Sequence, residues 1–362
     1  MKKKLIAIAV AGAMAAPMAV MADVKISGQL QTQLVSYSGD VAPTKPKGVY
    51  MSDGGTVTGA NGGSWGAISI NASEDLGGGM KAMASYGFNV TTDTGINTRQ
   101  AFVGLSGDFG TVLAGRMNHP YKTSTISWDP FVATFMQSRL NGGMGGTAAG
   151  ALYGPETSNA LAYANSFGGV RVVAAAVVDE LRDDAASDKL GGNHGYAFSV
   201  NAPVGPVEVA LAHAVLNMSG CRSTIRLDGN GVPVLNDNNT GLAVDTTCRK
   251  AEKATATKLG VMYRAGDLNI GGQVEMLGEG MGADKGNVYF VTAGYKMGAN
   301  KIDLSLGQTS KKLNGGDNNV THAALGLSHS FSSKTNVFAG VSQTRAEDYK
   351  FNAVGTGLRV RF

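Results

Sequence analysis

The segment VKISGQLQTQL, residues 24–34, alternates apolar and polar side chains with the two-residue period of a β-strand. Its apolar face carries Val24, Ile26, Leu30 and Leu34, and its polar face carries Lys25, Ser27, Gln29, Gln31 and Gln33. The same alternation recurs in GMKAMASYGF (79–88), KLGVMYR (258–264), DLNIGGQVEM (267–276) and KIDLSL (301–306). These segments predict an all-β chain in which each strand has one apolar face and one face in contact with water.

The connections between these segments differ in length in a regular way. Short turns recur at residues 75–79, 107–110, 167–169, 202–206, 265–267, 297–300 and 332–334. Longer polar segments alternate with them, at residues 38–64, 89–97, 118–156, 180–193, 217–253, 278–286, 310–319 and 345–350. Seven short and eight long connections predict sixteen antiparallel strands. Turns on one side and long loops on the other are typical of a transmembrane β-barrel, and a soluble sandwich or propeller has no reason for this segregation.

The N-terminal 22 residues have the pattern of a secretion signal. Three lysines at positions 2–4 precede an apolar run over residues 5–20, and residues 20–22 form a small-residue cleavage site. We therefore expect residues 1–22 to be removed and residues 23–362 to form the mature chain. Removal leaves 28 basic against 27 acidic residues, a balance that argues against a nucleic-acid partner. No later apolar run is long enough for a membrane-spanning helix, so a membrane would be crossed by strands.

Composition predicts that the mature chain is one domain. No linker, charge block or low-complexity tract divides it. A hydrophobic content of 43% with a mean hydropathy of −0.02 is expected where strands face lipid on one side and water on the other. The 52 glycines and 9 prolines indicate many tight turns and closely packed walls.

Three segments resemble the Gram-negative general porins, the trimeric sixteen-stranded outer-membrane family. They are SEDLGGGMKAMASYGF (73–88), TRQAFVGLSGDFGTVLAGR (98–116) and the terminal RVRF (359–362). The resemblance implies a passive, water-filled channel for ions and small hydrophilic solutes, embedded in outer-membrane lipid and lipopolysaccharide. It also implies a homotrimer, a third long loop that folds into the barrel, and a terminal aromatic residue, Phe362, that the barrel-assembly machinery reads. Small residues in the early and final strands suit a wall that faces protein.

The resemblance also places charged residues at a pore constriction. In the family, wall arginines oppose carboxylates on the third loop, which here is residues 118–156. By motif, Arg99 and Arg116 belong to the arginine ladder. Lys25, Arg359 and Arg361 face inward by alternation alone, and the loop carboxylates are Asp129 and Glu156.

Two departures from the family pattern weaken this field and leave the remaining positive wall charges less compensated. Ala67 occupies a position where family members commonly carry arginine, and Lys122 and Arg139 balance the two carboxylates of the third loop. Because rings of Arg and Lys favour anions, a modest anion preference follows.

The chain has two cysteines, Cys221 and Cys248, both in the fifth long segment. A disulfide is the default in an oxidising export route, and two free thiols or a metal pair are the alternatives. The five histidines are scattered and lack a neighbouring nucleophile motif, so the sequence predicts neither an enzyme nor a bound metal or cofactor. The alternatives to a diffusion channel are a substrate-selective or adhesive outer-membrane barrel and a soluble secreted β-protein.

Overall fold

The computed structural model describes residues 22–40, 47–52, 66–90, 96–140, 156–178, 194–225, 244–278, 285–310, 319–347 and 350–362. The predicted signal, apart from Ala22, lies outside the described residues. So do residues 141–155 of the third long loop and the middle of most other long loops.

Strands account for most of the described chain. In order they are β1 (Asp23–Asp40), β2 (Gly48–Ser52), β3 (Gly66–Gly77), β4 (Met80–Val90), β5 (Ile96–Gly107), β6 (Gly110–Met117), β7 (Thr157–Phe167), β8 (Val170–Val178), β9 (His194–Val204), β10 (Val207–Ile225), β11 (Val244–Ala265), β12 (Leu268–Leu277), β13 (Gly286–Met297), β14 (Asn300–Thr309), β15 (Val320–Ser330), β16 (Thr335–Arg345) and β17 (Lys350–Arg361). Helical structure in this part of the chain is limited to α1 (Pro120–Thr123) and two 3₁₀ turns (Ile126–Trp128 and Ser138–Leu140). Among the residues described, no helix is both long and apolar enough to cross a membrane.

The strands form a closed antiparallel ring. From β3 to β17 each strand pairs with the next along the chain, and β1 closes the ring. The first part of β1 pairs with β3 and the part from Gln29 onward pairs with β17. The short strand β2 pairs with β1 beside this seam, which leaves sixteen strands in the ring itself. The predicted sixteen-stranded barrel is therefore confirmed.

The two faces of the strands differ as the alternation predicts. On β14, Ile302, Leu304 and Leu306 are exposed on the outside, whereas Asp303 and Ser305 are buried on the inside. β11, β12 and β15 show the same pattern. Apolar side chains therefore form the outer band, as a barrel in lipid requires, whereas the inward positions carry polar side chains together with apolar ones such as Ala256 and Phe290.

All seven predicted short turns connect strands at the expected places. Glycine takes a left-handed conformation in most of them, for example Gly78 with φ of 60° and Gly205 with φ of 60°.

Two of the predicted long loops are shorter than expected. The segment 38–64 contains strand β2, and most of the described part of 217–253 is strand, because β10 runs to Ile225 and β11 starts at Val244. The polar composition of these stretches does not prevent strand formation, since each pairs with a neighbouring strand, in β10 and β11 with one register shift between Met218 and Gly220.

Candidate functional site

After β6 the chain turns into the ring instead of away from it. Residues 118–140, here called the inner loop, are mostly buried, and they contact side chains on the inward face of the wall. Tyr121, Trp128 and Phe135 are each 3% exposed or less. The inward path predicted for the third long loop is thus confirmed over its described part.

The first half of the inner loop is held by two charged wall residues that face each other across β11 and β12, Lys258 and Glu275. The Lys258 Nζ donates to the carbonyl oxygen of Tyr121 at 2.7 Å and to Thr125 Oγ1 at 3.0 Å. The hydroxyl of Tyr121 donates to Glu275 Oε2 at 2.7 Å, and Gln273 donates to the other carboxylate oxygen at 2.6 Å. Buried charges are tolerated when they are hydrogen-bonded in this way, and removing one of them would leave the other uncompensated.

The second half of the inner loop is held by polar side chains of several other strands. Gln31 donates to the carbonyl oxygen of Ala133, and the backbone N–H of Phe135 donates to Gln33 Oε1 at 3.1 Å. His322 Nε2 lies 2.9 Å from the carbonyl oxygen of Met136. The wall strands that hold this half, β1 and β15, lie four and seven strands around the ring from β6, so the loop reaches across the interior.

Asp129 holds the inner loop together from within. It is 2% exposed, and its carboxylate oxygens accept backbone N–H groups of Phe131 at 3.0 Å and Ser138 at 2.7 Å. Burial raises the pKa of Asp129 to about 6, against the opposing effect of these hydrogen bonds. This carboxylate is therefore committed to the loop backbone, and its predicted part in the constriction field stays a prediction.

Two irregularities of the sheet position the arginines that were identified by motif. The pairing of β4 with β5 shifts register between Gly87 and Phe88, which leaves Arg99 as the extra residue of a bulge. The pairing of β6 with β7 shifts between Gly115 and Met117, at Arg116. Gly115 has φ of 137°, and a β-carbon there would overlap the backbone of β5, so only glycine fits.

The first bulge brings Arg99 to Glu156, another residue predicted for the site, and the second places Arg116 beside Arg99. Arg99 Nε lies 3.3 Å from Glu156 Oε1, and Glu156 is 8% exposed. Arg116 donates from Nε to the carbonyl oxygen of Arg99 at 3.1 Å and from Nη1 to Ser158 Oγ at 2.9 Å.

Lys122 of the inner loop belongs to the same site. Burial is the largest influence on its pKa and lowers it to about 8. Glu156 opposes this shift, and the positive charges of Arg139, Arg99 and Arg116 add to it. Arg99, Arg116, Lys122 and Arg139, here called the basic cluster, therefore share one neighbourhood with Glu156, and Arg139 also interacts electrostatically with Asp129.

The remaining predicted residues lie apart from this cluster. Arg359 faces inward, donates to Gln31 Oε1 at 2.6 Å and reaches the carbonyl oxygen of Val132 at 3.2 Å, so it contacts the inner loop from β17. Arg361 is exposed and contacts Gln29 at 3.3 Å. Lys25 is exposed near the start of β1, opposite Asn71 of β3.

Sequence reasoning did not identify Lys258 and Glu275 as loop contacts. Alternation places both on the polar face of their strands, but it does not indicate which loop residue lies opposite.

Comparison with known proteins identifies a family and several relatives that this chain resembles. A family model described as Gram-negative porin matches residues 6–349. The major outer membrane protein P.IB of Neisseria gonorrhoeae is 39% identical over 127 residues, which cover 34% of each chain. The match thus spans about a third of the length of that relative. An outer membrane porin protein of Bordetella pertussis (strain Tohama I) is 28% identical over 331 residues, 83% of each chain.

Solved structures share the fold at low sequence identity. The anion-selective porin from Comamonas acidovorans superposes with a TM-score of 0.70 at 20% identity, covering 94% of this chain and 100% of that one. OmpT of Vibrio cholerae in its trimer form gives a TM-score of 0.64 at 16% identity, covering 94% and 99%.

Proposed function

The chain belongs to the Gram-negative porin family of outer-membrane proteins, and on that premise we propose that it forms a water-filled channel through which ions and small hydrophilic solutes diffuse passively. The observation that carries the proposal is a polar-lined ring of sixteen strands with a loop fixed across its interior. A barrel of this size leaves an aqueous lumen unless it is plugged, and the inner loop narrows that lumen.

Charge around the narrowing supports a modest anion preference. The basic cluster has four positive groups, which are countered by Glu156 and by Asp129, whose carboxylate also accepts hydrogen bonds from the loop backbone. At an effective dielectric constant near 20, two unit charges about 4–8 Å apart interact by about 2–4 kcal/mol, and salt screens this beyond about 8 Å. That energy favours anions without excluding cations.

Planar-bilayer recording of the purified protein tests the channel proposal. We expect stable conductance in simple salt, with currents nearly linear in voltage. Block of the current by one solute at low concentration would instead indicate a substrate-selective channel. Protein that inserts but carries no current would contradict the proposal.

We also propose that the protein assembles as a homotrimer, on the basis of its outer surface. Strands β3 to β6 form a shallow apolar depression on the outside, lined largely by small side chains, among them Ala72, Ala82, Ala84 and Ala114. A second copy of the chain fits such a surface, because small side chains allow close approach of two walls. Cross-linking in native membranes should give a three-chain species, and Ala84→Arg should shift it toward single chains. An unchanged oligomer in that variant would contradict this interface.

The rest of the outer band consists of exposed apolar side chains such as Leu259, Leu327 and Val341, which suit contact with lipid and lipopolysaccharide. We also propose that residues 1–22 are removed during secretion and that the barrel-assembly machinery recognises Phe362, as expected of a secreted barrel.

A further inference from the structure

Four inward-facing glycines of the wall lie directly beneath bulky apolar side chains of the inner loop. They are Gly260 on β11, Gly326 on β15, Gly340 on β16 and Gly355 on β17, here called the glycine seats. We propose that the glycine seats set how close the inner loop lies to the wall, and thereby determine the open width of the pore. The inference rests on the proposed channel function and adds to it the residues that fix the bore.

At two of the seats the nearest atoms belong to loop side chains. A β-carbon at Gly260 would overlap the six-membered ring of Trp128, which is 3% exposed. A β-carbon at Gly326 would lie 2.5 Å from Phe131 Cε1 and 3.2 Å from Met136 Cε. Separations below about 3 Å force the neighbouring group to move, and in both cases that group belongs to the loop.

The other two seats extend the same contact around the wall. A β-carbon at Gly340 would overlap the sulfur of Met136, and one at Gly355 would lie 3.1 Å from Phe135 Cε1. Strand backbone also crowds these two positions, so they are less suited to a selective test.

The glycine seats can control the open width of the pore because of where they lie on the wall. The loop leaves the wall at β6, beside the basic cluster, and three of the seats lie on β15, β16 and β17 on another side of the ring. Polar tethers from Gln31, Gln33 and His322 fix where the loop backbone runs along the wall. Close-packed apolar contacts fix its distance from the wall, because interiors of this density do not absorb an added methyl group without displacement.

The test is single-channel conductance of Gly260→Ala and Gly326→Ala. Each added methyl group should push the loop into the lumen and lower the conductance about twofold relative to wild type. The matched control is Gly294→Ala on β13, an inward glycine that is equally crowded, but by the wall side chains Asp303 and Asn269. We expect that control to fold and to conduct like wild type.

Compensating variants separate loop displacement from general strain. Trp128→Leu should restore the conductance of Gly260→Ala, and Phe131→Leu should restore that of Gly326→Ala, since each removes the atoms that collide with the new methyl group. Trp128→Leu alone should raise the conductance. This variant tests the inference if a glycine variant fails to fold.

The outcomes that would overturn the inference differ from those that would overturn the channel itself. A silent wild-type protein contradicts the channel proposal. A conducting wild type with unchanged conductance in folded Gly260→Ala and Gly326→Ala, or an equal fall in Gly294→Ala, contradicts the role of the glycine seats.

Discussion

At the scale of single residues, the directions of Arg99 and Arg116 depend on sheet irregularities. The motif identifies both arginines and also predicts a carboxylate partner on the following loop, which in the structure is Glu156. Strict alternation could not place them, because a bulge lies at each position and breaks the two-residue period. The hydrogen bonds of Asp129 to Phe131 and Ser138 could not be predicted from the sequence, because they depend on how the loop folds.

Lys122 gives the site a pH dependence. With its pKa lowered to about 8, about nine-tenths of it is charged at pH 7 and about one-tenth at pH 9. Burial lowers the pKa of the nearby His119 to about 4, so that side chain stays neutral between pH 7 and pH 9. Anion preference should therefore fall as pH rises through 8, measured by reversal potential in a salt gradient.

Lys122→Gln provides the matched control for this titration. The variant should show at pH 7 the weaker anion preference that wild type shows at pH 9, and little change between the two values. A wild-type preference that stays constant from pH 7 to pH 9 would mean that Lys122 does not contribute to the field.

At the scale of secondary-structure elements, the strands were predictable because each has one apolar face and one more polar face, which produces an alternating sequence pattern. The seven turns were predictable as well, since glycine and polar residues mark them. The sequence did not predict the short strand β2 or the parts of β10 and β11 that lie within residues 217–253. The residues of these segments are mostly polar, and the segments are held by pairing with a neighbouring strand. The contacts of the inner loop could not be predicted either, since they join residues far apart in sequence, such as Gln31 and Ala133, which are 102 positions apart.

The last strand closes the ring through its terminal residue. Gly28 donates its N–H to the carbonyl oxygen of Phe362 at 3.0 Å and accepts the N–H of Phe362 at 3.0 Å. The Phe362 ring covers Gly28, so a β-carbon there would overlap it. Gly28→Val should therefore destabilise closure by about 1–3 kcal/mol and lower outer-membrane yield, as deletion of Phe362 should.

Thr32→Val, at an outward position further along the same strand, is the control and should assemble normally. Heat-dependent gel mobility of membrane extracts reports folded barrel in each case. Normal assembly of both Gly28→Val and the Phe362 deletion would contradict this account of closure.

Strand pairing also bears on the cysteines. Cys221 and Cys248 stand directly opposite each other in the β10–β11 ladder. Opposed residues of antiparallel strands have Cα atoms about 4.5–5.5 Å apart, which lies within the range that a disulfide spans. We predict a bridge, which closes a loop of about 28 residues and contributes about 3–4 kcal/mol in the chain-entropy model.

Thiol labelling of the folded, unreduced protein measures this directly. Neither cysteine should react until a reductant is added, and Cys221→Ser should expose the thiol of Cys248. Labelling of both thiols without reductant would count against the bridge.

At the scale of the whole molecule, alternation and loop lengths predicted a ring of sixteen strands, and the family resemblance supplied the inward loop. What neither could supply is the balance of charge inside the ring, which depends on which carboxylates are engaged by backbone. Among the described residues, the four positive groups of the basic cluster are countered by Glu156 and by Asp129, which is also bound by the loop backbone, and this asymmetry is the basis for expecting anion preference.

The reversal potential of the wild-type channel in a gradient of simple salt tests that claim most directly. We expect a modest anion preference that weakens as salt rises, and a shift toward cations in Arg99→Ala and Arg116→Ala. Cation preference of the wild type at low salt, or an unchanged reversal potential in both variants, would contradict the assignment of the basic cluster to the constriction.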